Sequence, residues 1–386
     1  MWPAVRLGDV TTKIRSGATP RGGASGYTNS RIALIRSQNV LDNSMTHEGL
    51  AHISDEAAMK LANASVEKDD VLLNITGDSV ARCCVMEEAF LPARVNQHVS
   101  IIRTESQLDP RFLQRALVNP EMKNHLLTIS SGGTRNALTK SMLENLEVPL
   151  PPLPEQQAIA EVLGALDDKI AANRALVATA DDLATAIYRR ESSTTAPLSS
   201  LAKFVNGRNF TKDASGTGRA VIRIAELNSG IGDSTVFNDV GALPQNVAGP
   251  GDILFAWSGS LTLKRWTAEE GLVNQHIFKV IPNSDVPQWL VYQAIRHALP
   301  DFKAIAADKA TTMGHIQRHH LDAKVPIPTT SQTVPLDPLM GGLWQMALAA
   351  EVESATLAAL RDTLLPALMD GTLRVKDAER TVSEAL

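Results

Sequence analysis

The amino-acid sequence predicts an α/β (α+β) fold: two tandem mixed domains, each followed by a long helix, with the two helices forming an antiparallel coiled coil. Two observations lead to this prediction. Sequence motifs recur at a spacing of about 180 residues, and the segment after each copy carries apolar residues at helical spacing. The composition agrees, because 44% hydrophobic and 20% charged residues among 386 are typical of a globular chain with two or more domains.

The repeat consists of six matches that occur in the same order in both copies. The tetrapeptide VNQH stands at 95–98 and again at 273–276. The other matches are an opening segment, an Ile-Arg strand, a strand ending in a small-residue turn, a proline-led helix, and a Gly/Thr loop followed by a proline-ended strand. Their positions are 6–10 and 197–205, 32–40 and 220–227, 68–77 and 249–259, 108–117 and 285–295, and 130–154 and 309–328. Six ordered matches indicate a duplicated domain.

The matches also set the predicted boundaries. We place the first domain at residues 1–150, the first helical segment at 151–192, the second domain at 196–332, the second helical segment at 333–375 and a C-terminal tail at 376–386. The only joints that look unstructured are short, ESSTTAP at 191–197 and TTSQTVP at 329–335. Helices, and not flexible linkers, are therefore expected to connect the two domains.

Each helical segment has an apolar seam with one polar interruption. The first seam comprises Ile159, Leu163, Leu166, Ile170, Asn173, Val177, Ala180, Ala184 and Ile187. The second comprises Leu339, Leu343, Met346, Ala350, Glu353, Leu357, Leu360, Leu364 and Ala367. If the helices pair antiparallel and centred, Asn173 faces Glu353, and a polar pair of this kind fixes the register. The alternative is that both polar side chains face solvent at a loose crossing.

The formal net charge of −5 lies in the helical segments. Residues 151–195 hold 4 basic against 7 acidic residues and 333–386 hold 4 against 8, whereas 1–150 hold 16 of each and 196–332 hold 13 against 11. The mixed domains are thus neutral to slightly basic, which permits local positive faces. No apolar run reaches membrane-spanning length and no signal-peptide pattern is present. With Cys83 and Cys84 expected to be buried and reduced, the sequence predicts a cytoplasmic protein without a membrane partner.

Recognised catalytic motifs are absent from the sequence. There is no NPPY-like or DPPY-like tetrapeptide, no DxGxG-type cofactor loop and no GxxxxGK[ST] phosphate loop. His315, His319 and His320 have no carboxylate or cysteine at ligand spacing, so we expect solvated surface or phosphate contact there. The sequence therefore predicts a chain without catalysis, metal or cofactor of its own.

The polar residues of the two VNQH copies are expected mainly to support their own domains. The alternation of Val95, Gln97 and Val99 predicts a strand, and polar side chains beside a turn satisfy buried backbone groups. Direct nucleic-acid contact is the alternative. Both interpretations apply to Asn96, Gln97, His98, Asn274, Gln275 and His276.

Loops that combine Arg or Lys with Gly and Thr are the candidate nucleic-acid contacts, because small residues allow close approach to phosphate and arginine bonds phosphate or guanine. In the first domain they contribute Lys13, Arg15, Arg21, Arg36, Thr134, Arg135 and Lys140. In the second they contribute Arg208, Lys212, Arg219, Arg223, Lys264, Lys309, Thr311, Thr312 and Arg318. Recurrence at equivalent positions favours Arg36 with Arg223 and Thr134 with Thr311. Ordinary solvated loops are the alternative, and Arg36 could instead pair with an acidic neighbour.

The arrangement resembles the specificity subunit of type I restriction–modification systems over nearly the whole chain. The resemblance is carried by the tandem domains, the VNQH motifs, the junction LEVPLPPLPEQQ at 146–157 and the helix at 159–177. It implies two target-recognition domains, each reading one half of a bipartite, asymmetric site on double-stranded DNA. It also implies a helical spacer that docks two methyltransferase subunits, together with restriction/translocase subunits. S-adenosylmethionine would then belong to the methyltransferase partner, and ATP and Mg to the restriction partner.

The second domain departs from this pattern. IPTTSQTVP stands where the first copy has PLPPLPEQQ, and ATTMG stands where the first has GGTRN. The divergence predicts that the two domains read different half-sites. Two other functions stay open: a structural adaptor whose domains bind protein, and an enzyme with an unrecognised active site. DNA reading predicts binding that weakens steeply with salt, which distinguishes it from the adaptor.

Overall fold

The computed structural model describes residues 2–19, 27–131, 136–308 and 314–385. The chain divides into two compact units, Met1–Lys169 with Leu357–Leu386, and Ile170–Thr356. Each unit contains one mixed domain and one part of each of two long helices, because the division falls inside both helices. We refer to the mixed domains as the first domain and the second domain.

The first domain alternates short strands with short helices. Its strands are β1 (Ala4–Arg6), β2 (Thr11–Ser16), β3 (Tyr27–Ile35), β4 (Ala51–Ile53), β5 (Ser65–Val66), β6 (Val71–Asn74), β7 (Cys83–Val85), β8 (Ala93–Val95), β9 (Val99–Thr104) and β10 (Glu147–Pro149). Its helices are α1 (Asp55–Lys60), α2 (Pro110–Val118), α3 (Pro120–Ser130) and α4 (Lys140–Glu144). β1 pairs antiparallel with β10, so the domain begins and ends on one two-stranded ladder.

Two four-stranded sheets form the body of the first domain. One has the order β2-β9-β6-β7 and is antiparallel throughout. The other has the order β4-β3-β8-β5, in which β3 and β8 run parallel. Ile35 and Val95 of the second sheet pack with Leu72 and Ile101 of the first, so the core lies between the sheets.

The second domain repeats this topology. Its strands are β11 (Thr194–Pro197), β12 (Ala202–Asn206), β13 (Arg219–Ile222), β14 (Phe237–Asn238), β15 (Val247–Ala248), β16 (Ile253–Ala256), β17 (Leu263–Arg265), β18 (Gly271–Val273), β19 (Ile277–Pro282) and β20 (Lys324–Ile327). The sheet orders are β12-β19-β16-β17 and β14-β13-β18-β15, with β13 and β18 parallel and β11 paired with β20. The same strand order twice confirms the predicted duplication.

The remaining helices include the two long ones. They are α5 (Leu153–Glu191), α6 (Ile224–Ser229), α7 (Gln288–Asp308), α8 (Thr330–Asp370) and α9 (Val375–Ala385). In the second unit Asn173 of α5 bonds Glu353 of α8, and Ser193, just after α5, bonds Gln332 near the start of α8. The two segments therefore run antiparallel there.

The helix segments of the first unit are also antiparallel. Asp167 of α5 bonds Arg361 of α8. Trp2 donates to the carbonyl of Leu368, close to the end of α8, while its neighbour Pro3 accepts from Leu150, just before α5 begins. The predicted fold class, two mixed domains with two long antiparallel helices, is confirmed.

Candidate nucleic-acid interface

The VNQH motif of each domain lies where the parallel strand pair ends. The amide of Asn96 donates to the carbonyl of Ile35 at 3.0 Å, and the amide of Asn274 donates to that of Ile222 at 3.1 Å. Because β8 ends at Val95 and β9 begins in the other sheet, the prediction that VNQH continues one strand is wrong. The motif forms the turn that carries the chain from one sheet to the other.

The asparagine of each turn supports the fold, as the sequence analysis expected. Asn96 is buried and its side-chain oxygen accepts the amide of His98 at 3.0 Å. Asn274 is buried and its oxygen accepts the amide of Phe210 at 3.1 Å. A buried amide side chain that pairs with backbone holds a turn in one conformation.

A glycine lets the preceding strand approach each turn closely. A Cβ atom on Gly17 would stand 1.7 Å from the carbonyl oxygen of Val95, and one on Gly207 would stand 2.1 Å from that of Asn274. Any larger residue would push the chain away from the turn. Gly17 and Gly207, directly after β2 and β12, are therefore held against the VNQH turns.

Two further segments join the same edge of each domain. Ile75, just after β6, donates to the carbonyl of His98 at 2.9 Å and accepts from the amide of Leu138, also at 2.9 Å. The second domain repeats both bonds, each at 3.0 Å, through Trp257, His276 and Ile316. Leu138 and Ile316 each follow the predicted Gly/Thr loop. We call this group of segments the turn edge of each domain. In the first domain it comprises residues 17–19, 36–39, 75–76, 96–98 and 136–138. In the second domain it comprises residues 207–209, 223–226, 257–258, 274–276 and 314–316.

The turn edge of the first domain presents a row of hydrogen-bonded polar side chains. Thr19 donates to the amide oxygen of Gln97, and the Gln97 nitrogen lies 3.0 Å from Nε2 of His98. Nδ1 of His98 pairs with the hydroxyl of Thr76. Gln97 is exposed, so this row offers both donors and acceptors to a ligand.

The turn edge of the second domain is aromatic instead. The ring centroid of Trp257 lies 5.2 Å from that of His276 and 5.8 Å from that of Phe278, and its indole nitrogen donates to Asn206 at 2.9 Å. His276 has a φ of 76°, unusual for a residue with a side chain. Gln275 beside it is exposed. The two edges thus share a backbone but differ in chemistry.

Arg36 and Arg223 occupy equivalent places on the turn edge. Each directly follows a parallel strand, β3 or β13, and precedes a short helical turn. Arg223 forms an ion pair with Glu226, whose side chain is 2% exposed. Burial tends to raise the pKa of Glu226, but the hydrogen bonds from Arg223 hold that pKa below its ordinary value. Arg36 lies 5.4 Å from the ring centroid of Tyr27 and donates to a carbonyl.

The other predicted contacts of the first domain are spread along two elements. Lys13 on β2 donates to the carbonyl of Ser65 at 2.8 Å, and burial, followed by the charge of Arg103, lowers its pKa. Arg15, two residues along the same strand, is exposed. Lys140 begins α4 and forms an exposed ion pair with Glu144 at 3.2 Å. Arg21, Thr134 and Arg135 lie outside the described residues.

In the second domain Arg208 lies nearest the turn. Its side chain is exposed, and its backbone bonds Val273 and Gln275. Arg318 is exposed and lines a groove of about 740 Å³ beside β12. The remaining described candidates, away from these two, are the exposed Lys212 and Lys264 and the half-buried Arg219. Lys309, Thr311 and Thr312 lie outside the described residues.

Trp257 is a candidate contact that no sequence pattern indicates. Gln97 and Gln275, which are expected mainly to support their domains with nucleic-acid contact as the alternative, are candidates as well. Each is at least partly exposed on a turn edge. The signal that could have found the glutamines was the repeat itself, because VNQH is identical in both copies and its glutamine does not pack inside. Trp257 stands at the position that Ile75 has in the first domain, and only the structure shows that this position lies beside the VNQH turn.

The predicted seam residues of the long helices lie mostly inside each unit. In the first unit Ile159, Leu163, Leu166, Leu357 and Leu364 are buried and Leu360 is half-buried. In the second unit Ile170 and Leu343 are buried, Val177 is half-buried, and Met346 is 47% exposed. The side-chain nitrogen of Asn173 donates to Glu353 at 2.6 Å, in a helix pair that is otherwise apolar at these positions.

Two negative findings apply to the part of the chain that the structure describes. It holds no group of three or more His, Cys, Asp or Glu side chains arranged to bind a metal ion. No described helix is long and apolar enough to cross a membrane. His319 and His320 stand in a short helical turn with their ring centroids 4.1 Å apart.

The N-terminal part of the chain is similar to a known protein family. Residues 1–179 match the family model described as the type I restriction modification DNA specificity domain. The first domain is therefore similar to the type I specificity domain. This match ends inside α5, so it covers the first domain and the start of the first long helix.

Two curated relatives are specificity subunits. The chain is 24% identical over 191 residues to the type I restriction enzyme HindI specificity subunit of Haemophilus influenzae, which covers 49% of this chain and 40% of that protein. It is 31% identical over 134 residues to the EcoBI specificity subunit of Escherichia coli, covering 33% and 27% respectively. The matched segments therefore span less than half the length of either relative.

A solved structure matches almost the full length. The crystal structure of a type I restriction–modification S subunit from M. genitalium aligns with a TM-score of 0.59 and 15% identity, covering 96% of both chains. At 15% identity, the structural match supports a shared fold and nothing more specific. The fold match extends over the second domain, which the family model does not reach.

Proposed function

We propose that this chain is the DNA-reading specificity subunit of a type I restriction–modification complex and performs no catalysis alone. The observation that carries the proposal is the duplicated turn edge: two domains of one topology expose different side chains on the same backbone framework. A non-catalytic reader needs a rigid edge with exchangeable donors, acceptors and rings. The specificity subunits among its relatives support this assignment.

The target is proposed to be bipartite and asymmetric on double-stranded DNA. In the first domain the edge offers Thr19, Gln97 and His98, which can donate to or accept from base edges and phosphate. In the second the edge offers Trp257 with exposed Arg208 beside it. Domains that present different chemistry select different sequences, so a palindromic target is not expected.

The predicted site residues remain proposals for DNA contact. Of those that lie on or next to a turn edge, Arg36, Arg208 and Arg318 have the strongest structural support, because Arg223 is already paired with Glu226. Lys13 is held by a carbonyl of its own domain, and Lys140 by an adjacent carboxylate. Lysines held in this way contribute to phosphate attraction more than to base reading.

The helices are proposed to dock two methyltransferase subunits, with restriction/translocase subunits completing the complex in the cytoplasm. The large apolar side chains that are exposed on α5 and α8 in the second unit include Leu176, Leu183, Leu339 and Met346. Exposed apolar side chains at a spacing of seven residues on each helix suit a protein partner better than DNA. S-adenosylmethionine would be bound by the methyltransferase, and ATP and Mg by the restriction partner.

The test is the methylome of cells that express this chain together with the methyltransferase subunit encoded beside it. We expect methylated adenines in a split, asymmetric motif with a spacer of unspecified bases, and no methylation when either gene is omitted. A continuous motif, or a motif that does not depend on this chain, would contradict the proposal. Methylation or cleavage by the purified chain alone would indicate an enzyme instead.

A further inference from the structure

Two equivalent arginines on the turn edges have different surroundings. Arg36 and Arg223 both end a parallel strand, and in each case the residue three positions later bonds back to the arginine amide. That residue is Asn39 in the first domain, at 3.1 Å, and Glu226 in the second, at 3.0 Å. The backbone arrangement is therefore the same, while the buried side chain is neutral in one domain and acidic in the other.

The guanidinium of Arg223 is occupied within its own domain. Its Nε donates to Glu226 at 2.9 Å, a second nitrogen bonds the other carboxylate oxygen, and the same nitrogen donates to the carbonyl of Ser234 at 2.7 Å. Because Glu226 is buried, its charge needs this partner. Arg223 is a structural requirement of the second domain.

Asn39 creates no such requirement in the first domain. It is fully buried, and its nitrogen donates to the carbonyls of Thr46 and Glu48, both at 3.1 Å, so it is satisfied without a cation. Among the described residues no carboxylate pairs with Arg36. Its Nε is buried and has no hydrogen-bond partner, while the Tyr27 ring and the carbonyl of Gly49 hold the guanidinium in place.

We propose that Arg36 makes a direct, charge-assisted contact with the DNA half-site of the first domain, whereas Arg223 is a positioning residue that does not contact DNA. The inference rests on the proposed function. A guanidinium that is held in orientation but not neutralised by its own domain is prepared to bind an anion or a base-edge acceptor. Its neighbour across the strand end is Asn96, so the contact would be made at the turn edge.

The experiment compares three variants of the full chain. Arg36→Gln removes the proposed contact. Arg223→Gln/Glu226→Gln removes the second-domain ion pair while leaving the neutral arrangement that Asn39 already provides in the first domain. Lys60→Gln removes one charge from an exposed helical ion pair and controls for net charge. DNA binding is measured over a series of salt concentrations, with a duplex that carries the motif identified by the methylome and with a duplex of scrambled sequence. Folding of each variant is checked by thermal unfolding.

We expect Arg36→Gln to weaken binding to the motif roughly tenfold without lowering the unfolding temperature. If Arg36 bonds phosphate, the salt dependence falls by about one unit of slope; if it bonds a base, discrimination at one position of the first half-site is lost. The double variant and Lys60→Gln should bind like the wild type. Wild-type affinity of Arg36→Gln, or an equal loss in the double variant, would overturn the inference. Absence of salt-dependent binding by the wild type would instead count against the proposed function.

Discussion

The two units attach their mixed domain to the long helices through ion clusters of opposite composition. In the first unit one carboxylate, Asp167 of α5, lies between Arg115 of α2 and Arg361 of α8. In the second unit one arginine, Arg265 of β17, lies between Asp181 of α5 and Glu351 of α8. In both clusters α5 and α8 each provide one charged group, and the second cluster also includes Arg296 of α7, 3.5 Å from Asp181.

The difference shows that duplication preserved the strand order but not the contacts to the helices. Arg265 also lies between the rings of Tyr292 and Trp344, with its guanidinium carbon 4.5 Å from each ring centroid. Among the described residues, neither Arg115 nor Arg361 of the first cluster lies over an aromatic ring in this way. Backbone topology is maintained by many interchangeable apolar contacts, whereas a buried charge has few partners and changes together with them.

The largest effect is expected from Arg265→Leu. The arginine side chain is 2% exposed, and its loss leaves Glu351 without this partner and Asp181 with the more distant Arg296, at 3.5 Å. We expect a decrease of about 3–5 kcal/mol in the free energy of unfolding, measured by urea denaturation. Arg190→Leu is the matched control, because Arg190 is 73% exposed and pairs only with its neighbour Glu191 among the described residues. A small change in the free energy of unfolding for Arg265→Leu would show that this cluster is not the main attachment between the second domain and the long helices.

A smaller effect is expected from Asp167→Asn. The substitution keeps the shape of the side chain but leaves Arg115 and Arg361 without their shared negative charge. We expect about 2–3 kcal/mol of destabilisation, since charge-assisted hydrogen bonds are lost while all three groups remain partly exposed. Asp362→Asn removes an exposed partner of Arg361 and serves as the control. Equal effects of the two substitutions would show that the position of Asp167 between the arginines is unimportant.

The smallest effect concerns the pH dependence of the second cluster. Burial raises the pKa of Glu351 above its ordinary value near 4.5, despite the nearby Arg265, and one of its carboxylate oxygens has no hydrogen-bond partner. A raised folded-state pKa means that this group stabilises the fold below its unfolded pKa and loses that contribution as pH rises through the folded one. We therefore expect Glu351→Gln to gain stability relative to the wild type as pH rises from about 4.5 towards neutrality. Urea unfolding of both proteins across that range tests the sign; a constant difference would contradict it.

The duplicated fold and the helix pair could be predicted because their signals are local and repeated. VNQH and its flanking strands recur in order, and the seams follow helical spacing. The turn edge could be predicted only in part. Asn96 was expected to support its domain and does, but the exposure of Gln97 depends on a sheet crossing that a period-two pattern hides.

The ion clusters could not be predicted from the sequence. Arg265 is 84 residues from Asp181 and 86 from Glu351, and no periodic pattern relates such positions. The contrast between Arg36 and Arg223 was equally hidden. Their strands match, but the decisive difference is whether the side chain three residues later is a buried amide or a buried carboxylate. Such contrasts require knowledge of burial, which one sequence does not supply.

The ladders that close the domains, β1 with β10 and β11 with β20, have a consequence for how such genes change. In each domain the incoming and outgoing chain lie side by side, Ala4 opposite Pro149 and Thr194 opposite Ile327. Ladder bonds join backbone to backbone and are largely indifferent to side chains. Recombination that replaces the residues between β1 and β10, or between β11 and β20, would leave the ladder in place. The new domain would then connect to the long helices in the same way as the old one. A whole mixed domain could then be exchanged in one recombination event while the sequences of α5 and α8 stay unchanged.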